Sequence, residues 1–278
     1  TGFLGRQIAR ELREAGHQVV EGNSRTMNFS RDTDPATWRP RLTGIDAVIN
    51  AVGVLRETSA RPLEPVHHRT PAALFEACAQ AGVRRVIQVS ANGVAHSQTR
   101  YATTKRAADD VLLRLHQEGR LLGAVLRPSI IYGRGGASSA LFTTLAKLPV
   151  LVLPGAAMRS LVQPVAVQDV AHACARLLTL DESGIVTAVG PRALPLAHFI
   201  DELRRQLGHR RARRVPLPDG PSRLSARIGD YFPFQPWSRE SLSLLEQDNV
   251  GDAAAFTRVL GRPLVPLERF VEAAWRSA

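Results

Sequence analysis

Short β-rich runs alternate with helical windows along the first half of the chain, and this alternation is the feature that most restricts its fold. The runs at residues 18–20, 47–49, 85–89 and 123–126 are predicted strands. Predicted helices are one around Ile8 and Leu12 that ends at Gly16, one over residues 71–81 closed by Gly82, and one over residues 103–116. Parallel strands need long crossover connections, which are usually helices. The order therefore predicts an α/β fold with a doubly wound parallel sheet and right-handed connections.

The pattern becomes less regular after Pro128. It predicts a helix over residues 140–147, a strand over residues 149–154 and a helix whose first turn carries Asp169. From Gly190 onward, short helical windows and frequent prolines replace the alternation. We therefore predict a sheet domain at 1–190 and a smaller C-terminal lobe at 191–278. Such a lobe usually covers the C-terminal edge of the sheet, where open α/β folds bind ligands.

The composition is that of a folded and strongly basic protein. Hydrophobic residues make up 44% of the 278 residues and charged residues 22%, which argues against long disorder. The net charge is +11, mostly from arginine, and the densest basic cluster is at residues 209–214. No aromatic residues are interleaved with that cluster, as a single-strand binding surface would require, so no nucleic-acid partner is expected. An exposed loop explains the cluster as well as a binding patch does.

Apolar runs, cysteines and histidines exclude further classes. No apolar run reaches the roughly 18 residues of a membrane span. Cys78 and Cys174 lie in separate helical windows and are interpreted as small buried hydrophobes in a reducing compartment, which predicts a cytoplasmic location. His67 and His68 precede a helix and are predicted to be surface or capping residues. No set of side chains has metal-ligand spacing, so no metal site is expected.

A glycine-containing segment opens the chain. Thr1-Gly2-Phe3-Leu4-Gly5 runs directly into the first helical window. Glycines in such a loop let the backbone approach a pyrophosphate at a helix N-terminus, which makes a nucleotide site the first hypothesis. The same kind of segment normally follows a buried strand and another glycine. We therefore expect residues to precede Thr1.

Tyr101 and Lys105 lie four residues apart at the start of the helix predicted at 103–116. This spacing places both side chains on one helix face. An ammonium beside a phenol favours the phenolate and so assists proton transfer. The alternative interpretation is a surface tyrosine and a solvated lysine at the head of an amphipathic helix.

Several motifs in fixed order resemble a known superfamily. They are the segment from Thr1 to Gly5, residues 50–53 (Asn-Ala-Val-Gly), residues 89–91 (Val-Ser-Ala), Tyr101 with Lys105, residues 127–133 (Arg-Pro-Ser-Ile-Ile-Tyr-Gly), and residues 163–165 leading to Asp169. Together they resemble the short-chain dehydrogenase/reductase superfamily in its extended and atypical branches. The chain is most similar to NmrA-like NAD(P)-binding proteins and to bacterial relatives of the nucleotide-binding accessory subunit of respiratory complex I. The resemblance implies a Rossmann domain.

The resemblance also implies cofactor-binding residues. These are Gly2, Phe3, Leu4 and Gly5 at the phosphates, Ser24 and Arg25 at a 2′-phosphate, Asn28 and Phe29 at the adenine, Ala51, Val52 and Gly53 after a strand, and Pro128, Ile130 and Ile131 at the nicotinamide. Glu21 fits the acid that selects NAD in the family. NADP(H) is nevertheless preferred over NAD(H), because arginine suits bidentate phosphate contacts.

Catalytic roles follow from the same resemblance. Tyr101 would be the acid/base, and Lys105 would bind the ribose and assist the tyrosine. The family's third polar group usually follows the strand by one or two positions. Here Ser90 is one candidate and Asn92, a hydrogen-bond donor, is the other.

The resemblance implies an oxidoreductase that moves a hydride between a nicotinamide and a carbonyl or alcohol carbon of an unknown small molecule. A non-catalytic NADP(H)-binding accessory, assembly or redox-sensing protein is the alternative, and peripheral association with a membrane or respiratory complex would accompany it. A sugar-nucleotide epimerase or dehydratase is disfavoured because the C-terminal lobe has no evident diphosphate clamp, although the arginine-rich loop keeps it open.

Two further groups keep two interpretations each. Ser129 and Tyr132 are predicted either to contact substrate or to form a structural turn. An aromatic cluster is predicted either to roof a pocket or to form the core of the small lobe; it comprises Tyr231, Phe232, Phe234 and Trp237.

Overall fold

The computed structural model describes residues 2–23, 26–231 and 238–276. Its strands are β1 (Ala47–Asn50), β2 (Arg85–Val89), β3 (Leu122–Pro128), β4 (Ile131–Tyr132), β5 (Val150–Pro154), β6 (Leu161–Val162), β7 (Val165–Ala166), β8 (Gly184–Ala188), β9 (Leu194–Pro195) and β10 (Arg213–Leu217). Its α-helices are α1 (Phe3–Glu14), α2 (Pro35–Trp38), α3 (Thr70–Ala81), α4 (Arg100–Gln117), α5 (Ala137–Lys147), α6 (Gly155–Arg159), α7 (Val167–Thr179), α8 (Leu196–Gln206), α9 (Asp219–Gly229), α10 (Arg239–Leu245), α11 (Ala253–Leu260) and α12 (Phe270–Arg276). No helix among the described residues is long and apolar enough to cross a membrane.

The chain forms two compact units, and the first comprises residues 1–127 and 171–187. Its sheet has the order β1-β2-β3-β8, with β1, β2 and β3 paired in parallel. Every residue of β2 is buried, as expected of a central parallel strand covered on both faces. The predicted α/β class with a parallel sheet is confirmed.

Helices α3 and α4 supply much of the first unit's apolar core. Phe75 and Cys78 of α3 are fully buried in one cluster with Leu112 and Leu115 of α4. Helix α3 ends at Gly82, whose φ of +75° lies in the left-handed region and whose N–H donates to the Cys78 carbonyl. The predicted helix end at Gly82 is confirmed.

One predicted strand is wrong. Residues 18–20 form no strand, and Val20 is 72% exposed. A β-rich run becomes a strand only when its amides and carbonyls pair with a neighbour, and no strand of the described residues lies beside this one. Local β preference was therefore not enough to form a strand here.

The second unit comprises residues 128–170 and 188–278. Its core centres on Tyr132, Phe142, Phe199 and Phe270, which pack ring against ring at centroid distances of 5.5 to 6.4 Å. Among its described residues, three two-stranded sheets accompany it: β5 with β10, β4 with β7, and β6 with β9. The expected helix at 140–147 and strand at 149–154 are present as α5 and β5, and helices α8 to α12 follow residue 190. The division into domains at residue 190 stays a prediction.

Candidate functional site

Helix α4 presents Tyr101, Lys105 and Asp109 at intervals of four residues, so the three side chains share one helix face. The helix begins at this point because Thr99 caps it: the Thr99 hydroxyl accepts a hydrogen bond from the Ala102 N–H at 3.2 Å. The Tyr101 side chain is half-buried.

Lys105 is buried, which is unusual for a lysine, with 4% of its surface exposed. Its ammonium donates to the Val89 carbonyl at the end of β2 at 3.0 Å. Burial lowers the pKa of Lys105 to about 8, and the nearby Asp109 carboxylate opposes that shift. A Cβ at Gly53 would lie 3.1 Å from the Lys105 Nζ, so glycine lets the loop after β1 approach the ammonium closely. The alternative of a solvated lysine is therefore wrong.

Asp109 is fully buried and lies at the centre of a polar network. Its Oδ2 accepts hydrogen bonds from the Ser90 hydroxyl at 2.8 Å and from Nε and Nη2 of Arg127 at 3.0 and 2.9 Å. Burial raises the pKa of Asp109, while Arg127 opposes that rise. The other carboxylate oxygen, Oδ1, is buried and has no hydrogen-bond partner within the described part of the chain. Ser90 therefore donates its hydroxyl to the Asp109 carboxylate inside the core.

Asn92 lies further along the same loop. It opens a short 3-10 helix, Asn92–Val94, which follows Ala91 in an extended conformation. Its side chain is half-buried, whereas Ser90 is 5% exposed. Of the two candidates for the third polar group, Asn92 is thus the one nearer to solvent.

His67 belongs to this site, and the sequence interpretation missed it. The side chain is 1% exposed, so the prediction of a surface or capping residue is wrong for His67. Its Nε2 accepts the Val54 N–H at 3.0 Å, and its ring meets the Tyr101 ring edge-on at a centroid distance of 5.3 Å. Its neighbour His68 instead pairs with Glu64 at 2.7 Å near the surface. Two adjacent histidines before a helix carry no sequence signal that separates these roles.

The hydrogen bonds of His67 determine its tautomer. Nε2 accepts from Val54 and so carries no proton; Nδ1 lies 3.2 Å from Thr104 Oγ1, which itself donates to the Arg100 carbonyl at 2.8 Å. The proton therefore sits on Nδ1. Burial and the Lys105 charge lower the pKa of His67 to about 3. A neutral imidazole thus ties the loop after β1 to α4 beside the tyrosine and lysine.

The loop after β1 is also held from within. Asn50 is buried, donates to Gln88 Oε1 at 2.7 Å, and accepts the Val52 N–H at 3.1 Å. Ala51 and Val52 are half-buried and Gly53 is exposed. The three residues predicted to line a cofactor therefore follow β1 in a loop whose start is held by the Asn50 side chain.

The N-terminus of α1 has no side-chain cap within residues 2–23, 26–231 and 238–276. Gly2 precedes the helix in an extended conformation, and the first turn of the helix carries no acidic residue. Leu4 is buried, while Phe3 and Gly5 are half-buried. The unpaired first-turn amides and the positive end of a 12-residue helix suit an anion.

The adenine candidates make local contacts. The Asn28 side chain accepts the Ser30 N–H at 3.0 Å, and Phe29 meets Trp38 edge-on at 5.4 Å. Ser24 and Arg25, the predicted 2′-phosphate residues, lie outside the described residues. Glu21, the competing acid, pairs with Arg13 at 2.5 Å.

The remaining candidates belong to the second unit. Pro128 is buried, Ile130 is half-buried, and Ile131 pairs with Val165 in the β4–β7 sheet. The Ser129 hydroxyl donates to the Asn249 carbonyl at 3.0 Å. The buried Tyr132 stacks on Phe270, and its hydroxyl lies 3.0 Å from Thr143 Oγ1. Ser129 and Tyr132 thus make structural contacts inside this unit.

The aromatic cluster is described only in part. Tyr231 is 84% exposed, so it neither roofs a pocket nor belongs to a core. Phe232, Phe234 and Trp237 lie outside the described residues.

A sequence model described as the NAD dependent epimerase/dehydratase family matches residues 1–190. The chain belongs to this family. The match confirms the resemblance seen in the motifs, because the short-chain dehydrogenase/reductase type of Rossmann fold is the fold of these proteins.

Relatives of this epimerase/dehydratase protein include enzymes and a respiratory subunit. The chain is 26% identical over 261 residues to mouse mitochondrial NADH dehydrogenase [ubiquinone] 1 alpha subcomplex subunit 9, covering 86% of this chain and 67% of that protein. It is 28% identical over 184 residues to a ceramide reductase of Caulobacter vibrioides, covering 62% of this chain and 56% of the reductase. The Thermus thermophilus UDP-glucose 4-epimerase, solved in complex with NAD, has a TM-score of 0.68 at 20% identity, covering 100% of this chain and 97% of that one. This last likeness shows the fold alone.

The described residues of this epimerase/dehydratase protein fit a nicotinamide dinucleotide. The uncapped N-terminus of α1 suits a pyrophosphate. Because Gly53 has no side chain, the buried Lys105 ammonium can be approached from the loop after β1. One N–H of this ammonium donates to the Val89 carbonyl, and its other N–H groups can donate to a cofactor. No group of three metal-ligating side chains occurs in the described ranges.

Proposed function

We propose that this chain is an NADP(H)-dependent oxidoreductase that reduces a carbonyl, or oxidises an alcohol, of a small molecule. The observation that carries the proposal is the buried Lys105, which lies one helical turn from Tyr101 on α4. A Cβ added to Gly53 would lie 3.1 Å from the Lys105 Nζ, so the ammonium is close to the loop after β1. A buried lysine is costly, and its place between the loop after β1 and a tyrosine suits cofactor binding and proton transfer.

Each part of the cofactor has candidate residues. The first-turn amides of α1, from Gly2 to Gly5, would bind the pyrophosphate, and Ala51 to Gly53 would line the cofactor beyond it. Asn28 and Phe29 would border the adenine, and Pro128, Ile130 and Ile131 the nicotinamide. Preference for NADP(H) is supported by Ser24 and Arg25 in the sequence and by Glu21, whose carboxylate is already paired with Arg13.

When bound, the nicotinamide supplies or accepts the hydride. Tyr101 would donate the proton to the carbonyl oxygen, and the Lys105 ammonium would hold the ribose and favour the phenolate that remains. Asn92 would donate a hydrogen bond to the same oxygen, since the Ser90 hydroxyl is engaged by Asp109. Ser90 then contributes by holding the network beneath the site. The nucleotide domain would span residues 1–190 and the substrate lobe residues 191–278.

The test is a fluorescence titration of the full-length protein with NADPH and NADH, followed by oxidation assays against quinones, aldehydes and ketones. We expect tighter binding of NADPH and turnover on at least one carbonyl. Tyr101→Phe should abolish turnover and leave the NADPH Kd within about twofold, because the hydroxyl serves chemistry more than binding. Turnover that survives Tyr101→Phe would refute the assignment, and absence of binding to either nucleotide would refute the site.

A non-catalytic accessory or redox-sensing protein is the second candidate. It is supported by the similarity to the mouse respiratory subunit and by Ser90, whose hydroxyl is turned toward Asp109. Tight NADPH binding with no turnover on any carbonyl would favour it. Interconversion of a UDP-sugar by the NAD-loaded protein would instead favour the epimerase interpretation.

A further inference from the structure

Several exposed apolar side chains of the second unit lie on the paired strands β5 and β10 and on α9, which follows β10 in the chain. Fourteen large apolar residues are exposed among the described residues, and six of them lie on β5, on β10 or along α9 and the turn after it. They are Val150, Val152, Val215, Leu224, Ile228 and Tyr231. A soluble protein rarely clusters such residues without a use for them.

The β5–β10 sheet has one apolar face turned to solvent. Val152 is directly opposite Val215, and Val150 is opposite Arg213, so the four side chains share one face. The three valines are 37 to 49% exposed. The alternate residues of β5, Leu151 and Leu153, are buried. Strand β5 thus buries Leu151 and Leu153 on one face, whereas Val150 and Val152 on its other face are exposed beside Val215 of β10.

Helix α9 buries its small residues and exposes its large apolar ones, the reverse of an ordinary surface helix. Its buried positions are small, namely Ser222, Ala226 and Gly229, whereas Leu224 and Ile228 are 59 and 53% exposed. A surface helix normally turns its large apolar residues toward the core. The helix begins two residues after β10 ends, so the exposed apolar residues follow closely along the chain.

Arginines accompany both elements. Arg210, Arg211, Arg213, Arg223 and Arg227 are exposed and have no ion pair with any described residue. Other arginines nearby are neutralised, since Arg205 pairs with Glu202 and Arg214 with Asp201. On α9, each exposed aliphatic residue directly follows an exposed arginine in the sequence: Leu224 follows Arg223, and Ile228 follows Arg227.

We propose that the outer face of the β5–β10 sheet and the exposed face of α9 form a surface that binds anionic lipid bilayers. Unpaired arginines attract anionic headgroups, and exposed valine, leucine, isoleucine and tyrosine side chains gain by entering the boundary with the acyl chains. Nucleic acid would use the arginines but gives aliphatic side chains nothing to bury against. The proposal does not depend on the oxidoreductase activity.

The test is co-sedimentation of the full-length protein with vesicles of phosphatidylcholine containing about one third phosphatidylglycerol, and with vesicles of phosphatidylcholine alone. We expect binding to the anionic vesicles only, and its loss in high salt. Each arginine near such a surface contributes about fivefold in partitioning, so Arg211→Glu/Arg213→Glu should weaken binding at least about 25-fold. Leu224→Ser/Ile228→Ser and Val152→Ser/Val215→Ser should also weaken it.

Matched controls lie on the first unit. Val20→Ser removes an apolar side chain that is more exposed than the aliphatic side chains of the proposed surface, and Arg84→Glu reverses an exposed charge; both variants should bind vesicles as the wild type does. Thermal unfolding of every variant establishes that it is folded. The proposal is overturned if the wild type ignores anionic vesicles, if it binds both vesicle types equally, or if folded surface variants bind normally. It is also overturned if light scattering shows that the same variants disrupt a dimer while vesicle binding is absent, which would assign the surface to self-association.

Discussion

Replacement of Asp109 by Asn isolates the charge at the centre of the buried network. The amide has nearly the size of the carboxylate, so packing is preserved while the charge is removed. In the native protein one oxygen of Asp109 accepts from the Ser90 hydroxyl and from two nitrogens of Arg127. The Arg127 side chain is 11% exposed and would lose its counter-charge.

Loss of one partner of a buried ion pair costs about 3–5 kcal/mol of unfolding free energy, because the other charge stays desolvated and uncompensated. For a protein of this size, about 1 kcal/mol lowers Tm by roughly 2–4 °C, so we expect Asp109→Asn to lower Tm by about 6–20 °C. Burial itself raises the pKa of Asp109, so the intact pair also carries a desolvation cost. We therefore expect Asp109→Leu combined with Arg127→Met to cost less than the sum of the two single changes.

The assay is urea and thermal unfolding followed by circular dichroism at neutral pH. Asp110→Asn is the matched control, since it makes the same change at the next residue of α4 where the carboxylate is exposed, and it should alter stability by less than about 0.5 kcal/mol. If Asp109→Asn behaves like this control, or if the double variant costs the full sum of the singles, then Asp109 and Arg127 are not coupled as described.

Three other outcomes are expected. His67 has its pKa lowered from 6.5 to about 3, so the unfolded chain binds the extra proton: stability should be full above pH 6.5 and fall toward pH 3, by up to about 1.4 kcal/mol per pH unit. In His67→Gln this part of the pH dependence of urea unfolding should disappear, and an unchanged profile would contradict the buried neutral imidazole. Gly53→Ala should raise the Kd for NADPH at least about fivefold because its Cβ would press on Lys105, whereas Gly220→Ala, with nothing within 4 Å, should leave the Kd unchanged. Burial raises the pKa of both cysteines to about 12, so a thiol reagent should label none in the native protein and two after denaturation; rapid native labelling would count against their burial.

Local sequence predicted most of the sheet and its helices correctly. The central strand at residues 85–89 and the helix end at Gly82 depend on β-branched content and on one residue that accepts a left-handed conformation. Both are properties of a few neighbouring residues. The predicted strand at 18–20 failed because a strand also requires a partner, and no local pattern reports whether one is present.

In the candidate site, too, local spacing predicted some relations between residues, while others depend on contacts between distant segments. A spacing of four on a helix placed Tyr101 and Lys105 on one face, since helix geometry alone determines that relation. The burial of Lys105 and the contact of His67 with Thr104 join segments far apart in the chain, and no periodicity encodes them.

By itself, the sequence determined the α/β class, the family and the tyrosine–lysine pair, because each is written in local spacing or in motifs of fixed order. Only the tertiary structure decided that Ser90 donates to Asp109, that His67 is a neutral buried link, and that α9 turns its leucine and isoleucine outward. The physical reason is that hydrogen bonding, desolvation and exposure depend on which distant residues are packed against a side chain.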